Sequence, residues 1–232
     1  MDDPVVSAHT GRNADLISEV CRLYAPDGSR ILDMTYGQGR FWKKVNLNRY
    51  RFLSMDIEPI AQIQADIRKP PFTDASFDIA VLDPPYVHNS GVRNPHSYAS
   101  TTTRYNGSAT TARMYNADIL ELYREAMCAC FPILNPDGGQ LWVKCKDEVE
   151  REVQRWSHIK LYEAALSIGY CARDLFILTG MTAPQRWPGR VQWHARKLHS
   201  YLWVFERPDE RYRKLLTKPA PSGLTTSRKM VL

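Results

Sequence analysis

The chain has 232 residues, 44% hydrophobic and 24% charged, with a net charge of +6. That suits one α/β domain with a full core and excludes a disordered or low-complexity polymer. No apolar run approaches the length of a membrane span, and the acidic start Met1-Asp2-Asp3-Pro4 lacks a signal-peptide core. The five cysteines, Cys21, Cys128, Cys130, Cys145 and Cys171, are odd in number and never spaced C-x-x-C. This argues for a reducing, cytoplasmic setting and against a structural zinc site, so no metal is expected.

The charge is uneven. Residues 87–117 carry three arginines and no acid, residues 180–199 four basic residues and no acid, and residues 207–232 seven basic residues and two acids. These pieces contribute +3, +4 and +5, so the remainder of the chain is −6. Positive charge gathered in loops and tail suits a polyanionic partner.

In chain order, His9-Thr10-Gly11 reads as a small polar loop before a helix running to Tyr24, with Asn13 as its N-cap. Arg30 to Met34 reads as the first strand. Thr35-Tyr36-Gly37-Gln38-Gly39-Arg40 follows, and a short helix opens at Phe41. The pattern Asp33-x-Thr35-x-Gly37-x-Gly39 is a glycine-rich turn whose backbone can approach a ligand closely. It is neither a G-x-G-x-x-G fingerprint nor a P-loop. Phe52 to Asp56 reads as the second strand. An acid about 20 residues after such a turn is placed to hold a ribose hydroxyl pair; Asp56 is that acid and Glu58 its close rival. Ile63 to Ile67 reads as a third short strand ending at Asp66. Pro70 to Asp78 is a turn into the fourth strand.

Ile79-Ala80-Val81-Leu82-Asp83-Pro84-Pro85-Tyr86 starts as an apolar run and stops on an acid, two prolines and an aromatic. The apolar half reads as a buried parallel strand. Pro84 and Pro85 have no backbone N–H and end it, so Asp83 is expected at a carboxyl end, the edge where open α/β sheets bind ligands. Four successive strand-end acids, Asp33, Asp56, Asp66 and Asp83, spaced as βαβ units would space them, are the strongest signal in the chain.

Residues 87–117 form a long polar stretch with Arg93, Tyr98, Arg104, Tyr105 and Arg113. Beside Asp83, such a stretch is expected to be a lid or a nucleic-acid contact loop, a disordered insertion being the bland reading. A helix from Ala117 to Phe131, a strand from Gln140 to Cys145, a helix from Trp156 to Ile168 and a strand from Ala172 to Thr179 come next. A loop over residues 181–198 carries Arg186 and Arg190 near its tip and leads into a last strand, His199 to Glu206. Residues 207–232 look like a flexible basic tail.

With Asp-Pro-Pro-Tyr following a glycine-rich turn, the chain resembles the S-adenosylmethionine-dependent amino-methyltransferases that carry a D/N/S-P-P-Y/F/W motif, best known as DNA adenine-N6 and cytosine-N4 methyltransferases. The resemblance covers roughly Thr10 to Glu206. It implies a Rossmann-like class I methyltransferase fold over residues 1–206, with a seven-stranded, mostly parallel sheet and helices on both faces. It implies S-adenosylmethionine as cofactor, with Thr10, Asp33, Thr35, Gly37, Gly39 and Asp83 around its methionine end. Asp56 would hold the ribose, Asp66 would accept from the adenine amino group, and Ile67 would cover the ring. Asp83, Pro84, Pro85 and Tyr86 would be catalytic, and Arg93, Tyr98, Arg104, Tyr105, Arg113, Arg186, Arg190 and His199 would contact substrate, although His199 also reads as a buried structural histidine. Lys144 would lie near the family's variable catalytic rim, although a lysine at the end of its strand reads as solvated. The implied substrate is an exocyclic amino group, adenine N6 of DNA first. The alternatives are cytosine N4, an RNA base, a protein glutamine, or a nucleic-acid-binding module without catalysis. There is no Pro-Cys pair for cytosine-C5 chemistry and no room for a large target-recognition domain.

Overall fold

A computed structural model describes residues 3–84, 115–180 and 191–210, with Tyr212 and Lys214. The strands are β1 (Ala8–Thr10), β2 (Arg30–Asp33), β3 (Arg51–Asp56), β4 (Ile63–Gln64), β5 (Ile79–Leu82), β6 (Gln140–Cys145), β7 (Glu148–Glu150), β8 (Val153–Arg155), β9 (Cys171–Thr179) and β10 (His199–Glu206). The α-helices are α1 (Asn13–Tyr24), α2 (Asn116–Ile133) and α3 (Ser157–Ile168). Among the described residues no helix is long and apolar enough to cross a membrane.

The main sheet has the order β1-β9-β10-β6-β5-β2-β3-β4. Every neighbouring pair is parallel except those made by β10, which lies antiparallel between β9 and β6. The architecture is the expected mostly parallel sheet, but among the described residues it has eight strands rather than seven. The extra one is β1: the segment expected to be a polar loop pairs in parallel with β9, His9 opposite Leu178 and Thr10 opposite Thr179. An edge strand needs only one apolar face, so its polar composition is no obstacle.

Both faces of the sheet are covered, and period-2 alternation sorts its side chains. Leu32, Ala80, Leu82, Leu141 and Val143 pack in the core beneath α2 and α3. Ile31, Ile79, Val81, Trp142 and Val204 pack with Leu16, Ile17 and Val20 of α1 on the other side. All four residues of β5 are buried, as a parallel strand covered on both sides requires.

Local details depart from expectation for identifiable reasons. Arg12, not Asn13, is the N-cap of α1, because the Asp15 carboxylate one turn on accepts from the Arg12 N–H at 2.9 Å. The expected short helix after the glycine turn is two 3-10 turns, Arg40–Trp42 and Leu47–Arg49. The third strand stops at Gln64, because Asp66 turns back to accept from the Arg68 N–H at 2.9 Å. A hairpin that sequence reading missed, β7 and β8, projects beyond the carboxyl end of β6.

Candidate active site at the carboxyl edge of the sheet

Strand order fixes where a ligand can sit. From β2 the chain moves outward through β3 and β4; from β5 it moves the other way, to β6. The crevice at the carboxyl ends of β2 and β5 is therefore the topological switch point of the sheet, where open α/β folds bind ligands. Asp33 ends β2, and Asp83 directly follows β5.

The glycine-rich turn over this crevice is held from beneath by acids. Asp33 is buried; its Oδ1 accepts from the Thr35 N–H at 2.9 Å and its Oδ2 from the Trp42 indole N–H at 2.5 Å. Burial pushes its carboxyl up to about 6, against the pull of those two donors. Asp56 accepts from the N–H groups of Gly37 at 2.8 Å and Glu58 at 3.0 Å. Gly39 sits at φ +64°, where an added Cβ would fall 2.5 Å from the Tyr36 hydroxyl oxygen. Both acids thus shape the turn. Trp42, which sequence reading passed over as part of a helix, supplies the second anchor of Asp33.

Thr35 ties the turn to the catalytic candidate, its Oγ1 accepting from the Asp83 N–H at 2.7 Å. Asp33, Thr35, Gly37, Asp56 and Asp83 thus meet at one edge, with direct bonds joining Asp33, Thr35 and Asp83, and Gly37 and Asp56. Asp83 Oδ1 is buried and, among the described residues, has no hydrogen-bond partner. Burial pushes this carboxyl up to about 7; Lys144 opposes the rise and Asp33 adds to it. Pro84 follows Asp83 in sequence, and its carbonyl is 3.4 Å from the Tyr123 hydroxyl. That hydroxyl has one proton and directs it to the Lys144 carbonyl at 2.6 Å, so Pro84 O keeps acceptor capacity.

Lys144 corrects the expectation of a solvated lysine. It is fully buried, and its ammonium donates to Ser200 Oγ at 2.5 Å. The pairing of Leu82 with Val143 places Lys144 at the level of Asp83. Burial pushes its pKa down, and the charge of Asp83 works the other way. The signal for this is that Lys144 lies inside Leu141-Trp142-Val143-Lys144-Cys145, a run otherwise apolar.

The remaining candidates divide. Thr10 lies at the same edge, its hydroxyl 2.8 Å from that of Thr179. Asp66 does not join the network; it pairs with Arg68 at 2.6 Å and lines a separate groove of about 610 Å³ with Arg124 and Glu125. Ile67 is fully buried in the core. The Nε2 of His199 is 2.9 Å from the Tyr201 hydroxyl. Pro85, Tyr86, Arg93, Tyr98, Arg104, Tyr105, Arg113, Arg186 and Arg190 lie outside the described residues. Among the described residues no group of three His, Cys, Asp or Glu side chains is placed to hold a metal ion.

No family model and no curated protein matches the chain. Solved structures do. A 1,6-didemethyltoxoflavin-N1-methyltransferase from Burkholderia thailandensis, crystallised with its substrate and S-adenosylhomocysteine, superposes with a TM-score of 0.51 at 12% identity, over 85% of this chain and 79% of that one. The [4+2]-cyclase SpnF gives 0.50 at 13% identity, over 84% and 80%. A SAM-dependent methyltransferase from Methanosarcina mazei gives 0.49 at 11% identity, over 82% and 98%. The strand order, the switch-point crevice and the first two of these superpositions together assign the chain the Rossmann-like α/β fold of S-adenosylmethionine-dependent methyltransferases.

Proposed function

We propose that the chain is an S-adenosylmethionine-dependent N-methyltransferase that modifies the exocyclic amino group of a nucleic-acid base, adenine N6 of DNA being the first candidate. The observation that carries this reading is Asp83: a buried carboxylate oxygen without a partner among the described residues, at the switch point of the sheet and followed in sequence by Pro84.

The crevice fits the cofactor. Its donor set is acidic, and the backbone of a glycine-rich turn faces it, which suits an ammonium, a sulfonium and ribose hydroxyls better than a phosphate. Asp56 and Glu58 would hold the ribose. Asp33 and Asp56 both have their two oxygens engaged, so Asp33 would act by fixing the turn and Asp56 would reach the ribose through its remaining lone pairs. When bound, S-adenosylmethionine supplies an electrophilic methyl group on sulfur.

The residues of the chain do the rest. A base amino group is a poor nucleophile because its lone pair is conjugated into the ring. Donating one N–H to Asp83 Oδ1 and the other to Pro84 O would draw the nitrogen toward a tetrahedral shape and hold its lone pair in line for transfer. The nitrogen then sheds one proton. A carboxyl held near 7 is matched to take it. Tyr86 would stack on a base flipped from the duplex or presented unpaired.

The test is transfer of labelled methyl from S-adenosylmethionine to duplex DNA, single-stranded DNA and total RNA, followed by nucleoside mass analysis. N6-methyldeoxyadenosine is the expected product. Label in RNA alone would move the substrate while keeping the Asp83 chemistry. No label in any nucleic acid would overturn the reading.

A further inference from the structure

A second surface on the same sheet edge is built for contact. β6 runs parallel to β5, so Lys146 and the β7–β8 hairpin follow its carboxyl end. β10 is antiparallel to β6, so the segment that leads into it, residues 191–198, reaches that same edge. The two flank a groove of about 500 Å³. The His194 Nε2 donates to the Glu152 carbonyl at 2.8 Å and fastens the segment to the hairpin turn.

The lining is unusual for a surface that meets only water. Trp193 is 82% exposed and Val191 76%. Lys197 places its ammonium 5.6 Å from the ring centre of Trp156, itself exposed. Lys146 and Arg196 add two further cations. The acids along the groove are mostly spent inside the protein. Asp147 is buried against His158 at 2.8 Å, and Glu148 is buried and accepts from Asn116 at 2.9 Å. Glu152 is the exposed carboxylate of the lining among the described residues. An open indole, Trp193, set among cations matches the two parts of an unpaired nucleic-acid strand, bases to stack and phosphates to neutralise. A duplex hides its base faces, and the carboxylates of an acidic peptide have no ring to stack on an indole.

We propose that this groove docks an unpaired nucleic-acid segment, with a base stacked on Trp193 and phosphates on Lys146, Arg196 and Lys197. The proposal rests on the methyltransferase reading only for its purpose, which is to hold the strand that flanks the nucleotide delivered to Asp83.

The experiment uses the full chain and a fluorescently labelled single-stranded oligonucleotide of about 12 nucleotides. Binding is followed by anisotropy across a salt series, and methyl transfer to the same oligonucleotide is measured in parallel. Trp193→Ala should weaken binding roughly tenfold, and Lys197→Ala should lower the salt slope by about 0.7. Leu166→Ala, which removes an exposed apolar residue near the far end of α3, should change neither. The melting temperature of each variant controls for folding. Wild-type affinity in Trp193→Ala, or competition by polyglutamate as effective as that by unlabelled oligonucleotide, would overturn the groove. Methyl transfer with Trp193-independent binding would leave the Asp83 chemistry standing without the groove. Trp193-dependent binding without methyl transfer would leave the groove standing without the chemistry.

Discussion

Asp83→Asn should separate stability from activity. In the folded chain burial raises the Asp83 carboxyl from 3.8 to about 7. A raised carboxyl means that the fold disfavours the ionised form, so its contribution to stability is fully present below about pH 4 and is lost as pH rises through about 7. At about 1.4 kcal/mol per pH unit, the full difference is about 4 kcal/mol. The residue as a whole is only half-buried, which discounts this to about 2–4 kcal/mol. Asparagine has the shape of the neutral acid and no charge to desolvate. The variant should therefore melt with the wild type near pH 4 and about 5–15 °C above it at pH 8. It should still bind S-adenosylhomocysteine and should lose methyl transfer. Thermal unfolding at both pH values, paired with a turnover assay, reads the two properties together. A variant that melts with or below the wild type at pH 8 would refute the argument that Asp83 is held at an energetic disadvantage for function.

Three further outcomes follow from the same network. Lys144→Met removes the charge that pulls the Asp83 carboxyl down, so the rising limb of kcat/KM against pH should move upward from about 7; a pH-rate profile checks this. Thr35→Val removes the acceptor of the Asp83 N–H and should cost about 1–3 kcal/mol in denaturant unfolding, with turnover falling as the corner loosens. Gly39→Ala forces a side chain into left-handed backbone at a cost of about 1–2 kcal/mol and toward the Tyr36 ring. It should therefore weaken S-adenosylhomocysteine binding several-fold in titration calorimetry.

The legible parts of the fold were those with one dominant signal. β5 could be read because all four residues are apolar and prolines follow, and β10 because aromatic and aliphatic residues fill it. Asp33 and Asp83 were placed at strand ends, and the structure brings them to one crevice. β1 was missed because its sequence is polar and its pairing is with residues about 170 positions away. The β7–β8 hairpin was missed because Arg151 and Glu152 adopt φ of +48° and +64° without the glycine or asparagine that marks such a turn. Lys144 was misread because a lysine is almost never buried; its ammonium is met by the Ser200 hydroxyl, and Asp83 lies across the strand pair. Asp66 fitted the spacing of a strand-end acid, but a neighbour two residues on, Arg68, takes its carboxylate.

The placement of β10 also governs how the sheet can be assembled. It comes last in sequence among the described strands, yet it lies inside the sheet, between β9 and β6. During synthesis β6 and β9 must wait with open edges until residues 199–206 emerge, because β10 supplies the missing ladder to both. Open edges of this kind invite pairing with other chains. A chain truncated before His199 would therefore lose more than a terminal strand: it would split the sheet into two pieces and should collect as aggregate rather than as a smaller folded domain.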